Sequence, residues 1–360
     1  MIAPAIIYTV GTFLFLASLM PLIQSDYWAF RVFEYPRLQK WLLTAATLVA
    51  TVFFLDLSEY VPLGFAGALL INLVYLSYQV YPFLPVARIQ VKAPTKADSA
   101  RCLRIMIANV FQENIHTDKL VQMIVRQQPD VVVVSETNQT WVDSFRPLHE
   151  KYPYRVEVPQ ENTYGLVLLS RYELHESQVH FLVEDDIPSI FAQVELPSGE
   201  RVQFYCIHPT PPVPNENPRS TERDIEILLV GKMAKESTLP VVVAGDLNDV
   251  AWSYTTGLFQ KISGLLDPRR GRGFFNTFHA KYPFLRYPLD HIFCSEHWRL
   301  GAIRRLPYFG SDHFPMWVEL YYEPEVAAQQ EKPQADAEDQ QLAEEKIQEE
   351  TRDEKAHKDS

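Results

Sequence analysis

Asp290 opens the apolar run His291-Ile292-Phe293, and Ser311-Asp312-His313 opens the next. If these runs are neighbouring strands, a carboxylate meets an imidazole at one sheet edge. That arrangement orients and charges a histidine for work on a phosphate. Matching polar residues close other apolar runs: Ile105–Ala108 ends on Asn109, Val131–Ser135 on Glu136, Val202–Ile207 on His208, and Val241–Gly245 on Asp246-Leu247-Asn248. Buried strands that stop on polar groups at one edge build a cluster there. Asp, Glu, Asn and His without a thiolate suit a phosphoryl group and a hard divalent cation, Mg²⁺ or Mn²⁺ rather than Zn²⁺.

Strands alternate with helices along much of the chain. Thr117–Gln128, with Leu120, Met123 and Ile124 on one stripe, predicts a helix ending before Pro129. Gln139–Lys151 and Arg219–Glu236 predict two more. Gly165–Ser170 reads as a buried strand, and Pro197-Ser198-Gly199-Glu200 as the turn of a hairpin between 190–196 and 201–207. Hairpins mixed with strand–helix alternation predict an α/β sandwich of two facing sheets covered by helices.

The front of the chain differs. Residues 1–25 carry no charge, and Ile2–Ile23 is long enough for a bilayer at about 20 residues per span. Neither a basic leader nor a small-residue cleavage site marks it as a signal peptide. Trp41–Leu55 and Val61 to about Ala87 are also uncharged, so three transmembrane helices are expected within residues 1–90. The first connector holds Arg31, Arg37 and Lys40, the second only acids, and Arg88, Lys92, Lys96, Arg101 and Arg104 follow the third run. The positive-inside rule then places the rest of the chain in the cytoplasm, on a multi-pass inner or plasma membrane protein.

A polar linker at 91–100 leads to a globular domain at 101–322. Residues 323–360 have 13 acidic and 5 basic side chains and few large apolar ones, which predicts a disordered, solvated tail. The tail supplies most of the net charge of −12, so the domain is not a strongly basic body that grips nucleic acid by charge alone. Cys102, Cys206 and Cys294 are odd in number and far apart, and imply neither a disulfide framework nor a thiolate metal site.

Five motifs in order, Ile107-Ala108-Asn109, Val134-Ser135-Glu136, Gly245-Asp246-Leu247-Asn248, Leu289-Asp290-His291 and Ser311-Asp312-His313, resemble the endonuclease/exonuclease/phosphatase superfamily, here as a membrane-anchored bacterial-type member. The resemblance covers about 103–322 and implies a four-layer α/β sandwich with two mixed sheets. It also implies roles. Glu136 is the main Mg²⁺ ligand with Asn109 beside it and Asp312 as a further metal contact. Asp246 orients or deprotonates the attacking water, and Asn248 holds a phosphate oxygen. Asp290 polarises His313, which meets the phosphoryl group, and His208 helps at the leaving group. His291 reads as structural or supporting, and His180 and His279 as ordinary loop or surface residues.

Substrate choice falls to two loops. Pro209–Asn215 is stiffened by prolines, with Arg219 and Arg223 following as candidate phosphate contacts. Asp267–Pro288 interleaves Arg269, Arg270 and Arg272 with aromatics. That composition suits stacked single-stranded bases or a lipid headgroup surface. The leading expectation is a membrane-anchored, Mg²⁺-dependent phosphodiesterase whose partners are the bilayer and a phosphoester, phospholipid-type or nucleic acid. No protein partner is inferred. A nuclease and an inactive membrane scaffold are the rivals.

Overall fold

The computed structural model describes residues 2–358. Eleven strands among them form two sheets that face each other. The first has the order β10 (Trp298–Arg305), β11 (Met316–Tyr322), β1 (Cys102–Asn109), β2 (Val131–Ser135), β4 (Leu166–Ser170), β3 (Tyr154–Val158). The second runs β5 (Leu174–His180), β6 (Ser189–Glu195), β7 (Arg201–Cys206), β8 (Val241–Asp246), β9 (Asp290–Cys294). Both are mixed: β1 and β2 are parallel, as are β7 and β8, while β8 and β9 are antiparallel.

Strand alternation fixes the layers. Ile105, Ile107, Val131 and Val133 face Val242, Ala244, Phe204 and Ile292 between the sheets. The alternate residues Met106, Ala108, Val132 and Val134 pack outward on α5 (Thr117–Gln127) and α6 (Gln139–Ser144). Val241, Val243 and Phe293 pack on α7 (Thr221–Glu236) and α8 (Tyr254–Ser263). Helix α6 is shorter than expected, because Pro147 turns the chain into a tight turn at Arg146–Leu148. Strands β3, β5 and β10 were not anticipated; they lie at or beside sheet edges and are half polar, so no apolar run announces them.

In front of the sandwich stand α1 (Ile2–Leu19), the short α2 (Trp28–Arg31), α3 (Arg37–Phe54) and α4 (Tyr60–Val80). Among the described residues, two segments are long and apolar enough to cross a membrane, Ile2–Ile23 and Tyr60–Phe83. The expected third, α3, falls short of that standard. It starts four residues before Trp41 and takes in Arg37 and Lys40, both buried. Its burial is inverted for a helix in water. Thr44, Thr47 and Thr51 face inward, while Leu42, Leu43, Val52 and Phe53 are exposed. Asn72 Nδ2 donates to Thr44 Oγ1 (3.3 Å), Trp41 Nε1 to Ser77 Oγ (2.7 Å) and Lys40 Nζ to the Ala17 carbonyl (3.1 Å), so α3 is tied by polar bonds to α1 and α4.

Two segments expected to be free of the fold are part of it. In the linker, Val91 belongs to the core between the sheets. In the acidic tail, α9 (Ala337–Lys358) lies against α7 and α8: Ala343 is buried, Lys261 Nζ donates to Asp339 Oδ1 (2.8 Å), and Lys346 approaches Asp224. Leu342, Ala343 and Ile347 are too few to mark an amphipathic helix by composition, but at this spacing they share one face.

Candidate active site

The two sheets end their parallel strands at the same edge, and the polar residues gather there. Asn109 closes β1, Glu136 follows β2, Asp246 closes β8, and Asp290 opens β9 directly opposite Asp246 in the ladder. Asn109 Nδ2 donates to Glu136 Oε1 (2.7 Å) and to Asp246 Oδ2 (3.0 Å), joining one sheet to the other. Gly245 is required just before Asp246: it sits at φ 151°, and a Cβ there would lie 2.0 Å from the Ile207 carbonyl oxygen. Phe111, Glu136 and Asn248 adopt positive φ without being glycine, a strained geometry that recurs where side chains are held for function.

His313 is the centre of the cluster. Its Nδ1 lies 2.8 Å from Asp290 Oδ2 and its Nε2 lies 3.5 Å from Asp246 Oδ2. Ser311 Oγ anchors the loop by donating to the Asn109 carbonyl (2.8 Å) and accepting the His313 N–H (2.9 Å). Burial disfavours a charged imidazole here, but Asp290 and Asp246 outweigh it and raise His313 to about 10. Burial likewise pushes Asp290 above the usual carboxylate range. Asp246 is held low despite its burial, by His313 and His208. At neutral pH the imidazole is therefore an imidazolium between two carboxyl groups.

Glu136 shows the opposite balance. Burial lifts it to about 7, against the bond from Asn109 and the charge of His313. Its other oxygen accepts the Gln112 N–H (3.2 Å). Among the described residues neither Lys nor Arg pairs with this half-buried carboxyl; Asn109 turns its Nδ2 toward it, while the Asn109 Oδ1 accepts the Phe111 N–H (2.9 Å). A carboxyl with no such partner, beside a second carboxyl from Asp312, fits a hard divalent ion. Asp246, Asp290 and His313 also place one ligand atom each within 4.8 Å of one another. In this structure, however, the imidazole is already engaged by the two carboxylates. The Glu136–Asn109 side suits the ion better, with half-buried Asp312 on the next loop.

Of the remaining expected residues, His208 and Asn248 adjoin the cluster and the arginines are engaged elsewhere. His208 is buried beside the cluster, its ring 5.5 Å from that of Tyr164; burial holds it below its usual value, and its Nδ1 has no partner. Asn248 has its backbone N–H on Asp246 Oδ1 (2.9 Å) and its amide on the Pro209 carbonyl (2.9 Å). Arg219 bonds Asp26 in the N-terminal connector. Arg269 is buried, with Nε on Asp267 Oδ1 (2.9 Å) and Nη2 2.7 Å from His291 Nδ1. A guanidinium only donates, so His291 Nδ1 accepts, and its Nε2–H donates to the Asp249 carbonyl (2.8 Å). Burial and Arg269 hold His291 down to about 3, so this histidine is neutral. Arg270 bonds Gln260, and Arg272 bonds the carbonyls of Pro268 and Val91. Arg269 reaches only the backbone of the cluster, its Nη1 donating to the Asp290 carbonyl (3.3 Å), and these partners of Arg219, Arg270 and Arg272 lie outside the cluster.

Thr277, Phe278 and Tyr35 escaped the sequence, and Arg223, expected at a phosphate, is instead a buried support paired with Asp224. Thr277 Oγ1 accepts the Asp290 N–H (3.2 Å), and the Phe278 ring lies 5.0 Å from that of His313. The carbonyl of Asn248 accepts from Tyr35 Oη (3.0 Å) and from buried Arg223 Nη1 (2.8 Å). Tyr35 is 213 positions from Asn248, and no spacing could have linked them.

A family model described as "Endonuclease/Exonuclease/phosphatase family" matches residues 106–313. A humanized D. rerio TDP2 carrying 14 mutations is 18% identical, with a TM-score of 0.51 over 61% of this chain and 99% of that one. The human Nocturnin catalytic domain, solved with a sulfate anion, is 17% identical, with a TM-score of 0.50 over 62% of this chain and 95% of its own. An endonuclease/exonuclease/phosphatase from Bacteroides vulgatus is 18% identical, with a TM-score of 0.50 over 62% and 99% of the two chains. At these identities the solved structures establish the fold. None of the curated proteins searched matches this chain.

Proposed function

The chain belongs to the endonuclease/exonuclease/phosphatase family, and from that premise we propose that it is a membrane-anchored, Mg²⁺-dependent hydrolase of phosphodiesters. The observation that carries the reading is the imidazole of His313, held between Asp290 and Asp246 beside Asn109 and Glu136. Glu136 and Asn109, with Asp312 beside them, would hold the cation, which when bound supplies Lewis-acid polarisation of a phosphoryl oxygen.

The chain's own groups do the rest. Asp246, ionised and oriented by the Asn248 N–H, accepts a hydrogen bond from the attacking water and takes its proton as the oxygen closes on phosphorus. His313 donates Nε2–H to the phosphoryl oxygens as negative charge grows, and Asp290 keeps it charged and in place. Asn248 has a second amide hydrogen for the same oxygens. As the ester bond to phosphorus breaks in line with the attack, neutral His208, in the tautomer with its hydrogen on Nδ1, gives that proton to the departing oxygen.

The anchoring is supported by the inside-out helix α3, with threonines inward and leucine, valine and phenylalanine outward, as expected in an apolar solvent. The basic residues of the first connector, which packs against the domain through Arg31 and Asp224, support a cytoplasmic catalytic part. The test is hydrolysis of bis-p-nitrophenyl phosphate by the full chain in detergent with Mg²⁺, alongside plasmid DNA. The diester is expected to be cleaved, with a loss of about 10²–10³ in Asp246→Asn. Turnover that is indifferent to chelator and to Asp246→Asn counts against the reading, and efficient, Asp246-dependent nicking of plasmid favours the nuclease.

A further inference from the structure

The turn at Pro283–Leu285 leaves three large apolar side chains in the open: Tyr282 is 57% exposed, Phe284 86% and Leu285 51%. Its position gives this exposure meaning. Gln39, in the first turn of α3, donates from Nε2 to the Phe284 carbonyl (2.8 Å). Three residues along α3, about 4.5 Å at 1.5 Å per residue, Leu42 and Leu43 begin that helix's exposed apolar face. Lys281 and Arg286 flank the turn. The tip is thus level with the head of a hydrophobic helix, with cations on its stem.

The stem leads into the active site. Phe278 bridges to Tyr287 on one side and to His313 on the other. The Ala280 N–H donates to the Asp312 carbonyl (2.6 Å). The ring of Tyr35, next to α3, lies 5.5 Å from that of Tyr287. One short loop therefore joins the catalytic histidine, the head of α3 and an exposed apolar tip.

We infer that the loop 279–286 enters the headgroup layer of the bilayer and opens the site onto phosphodiesters carried by lipid. This rests on the membrane-anchored reading above and names its substrate class. Tyr282, Phe284 and Leu285 lie at the boundary between headgroups and acyl chains, where aromatic and aliphatic side chains lose contact with water. Exposed Lys281 faces anionic headgroups, while Arg286 braces the stem through the Ala280 carbonyl (3.1 Å) and the Phe314 ring. A headgroup phosphodiester at that depth is presented to His313 along the loop, whereas a long polymer in solution gains nothing from the apolar tip.

The full chain reconstituted in phosphatidylethanolamine–phosphatidylglycerol vesicles tests this. Cys102, Cys206 and Cys294 are buried, so a single introduced cysteine takes an environment-sensitive fluorophore. The label goes at Phe284→Cys, at Phe53→Cys on α3, or at Phe181→Cys after the edge strand β5. Lipids carrying a quencher in the acyl chain are expected to quench positions 284 and 53 and to spare 181. Quenching at 53 with none at 284 overturns the loop assignment while the anchoring stands. None at either overturns both. In parallel, Phe284→Ser/Leu285→Ser should lose about tenfold or more on phosphatidylglycerol in the vesicle, with bis-p-nitrophenyl phosphate held within about twofold. Equal losses on both would assign the loop to shaping the pocket instead. A wild-type chain that cleaves the soluble diester but releases nothing from the vesicles contradicts the lipid substrate and leaves the hydrolase reading intact.

Discussion

Asp290 and Asp246 flank a single imidazole, and the balance of charge there sets a pH dependence. His313 at about 10 is protonated through the neutral range, so a reaction that needs the imidazolium is fully supported below that value and lost as pH rises through it. Removing the Asp290 charge takes away the largest attraction that opposes burial. Asp290→Asn is expected to move the alkaline limb of the rate profile to lower pH and to reduce turnover at pH 8, with a smaller change in KM; a limb that stays in place assigns the control of His313 elsewhere. At this scale the sequence spoke through residue type at strand ends. Asn109, Glu136, Asp246, Asp290 and His313 each follow or precede an apolar run, and a run that stops on a polar group has few destinations other than a sheet edge. The arginines gave no such cue. Arg269 is two positions from Asp267 and becomes its buried partner, a pairing that depends on a turn whose course the composition of 267–288 does not fix.

Among the elements, the connector between α1 and α3 carries more than its length suggests. Arg31 Nη2 donates to Asp224 Oδ2 (2.7 Å), Trp252 Nε1 donates to the Glu34 carbonyl (2.9 Å), and Tyr35 bonds the Asn248 carbonyl, so this segment braces the loop after β8. Tyr35→Phe deletes one buried bond of about 1 kcal/mol. It should lower kcat several-fold on the soluble diester, with KM and the unfolding temperature nearly unchanged. An unchanged kcat would reduce the connector to a tether. The sandwich strands and helices were readable because their apolar periodicities matched their burial. Helix α7 was readable only as a helix. Its buried Arg223 and Asp224 serve an ion-pair network with Arg31, and its buried Glu226 accepts from Ser189 Oγ, none of which a stripe predicts.

For the whole molecule, the sandwich and the N-terminal helices are tied together, because the connector and the loop 279–286 both run between those helices and the cluster edge. The apolar runs marked the helices, and the acidic tail concealed α9, whose docking needs a surface supplied by α7 and α8. The proposed hydrolysis depends on residues scattered from Asn109 to His313 closing around a divalent ion. Mn²⁺ binding followed by electron paramagnetic resonance on the full chain tests that directly. A single tight site, displaced by Mg²⁺ and abolished in Glu136→Gln while the variant remains folded, is the expected result; binding that survives Glu136→Gln unchanged would contradict it.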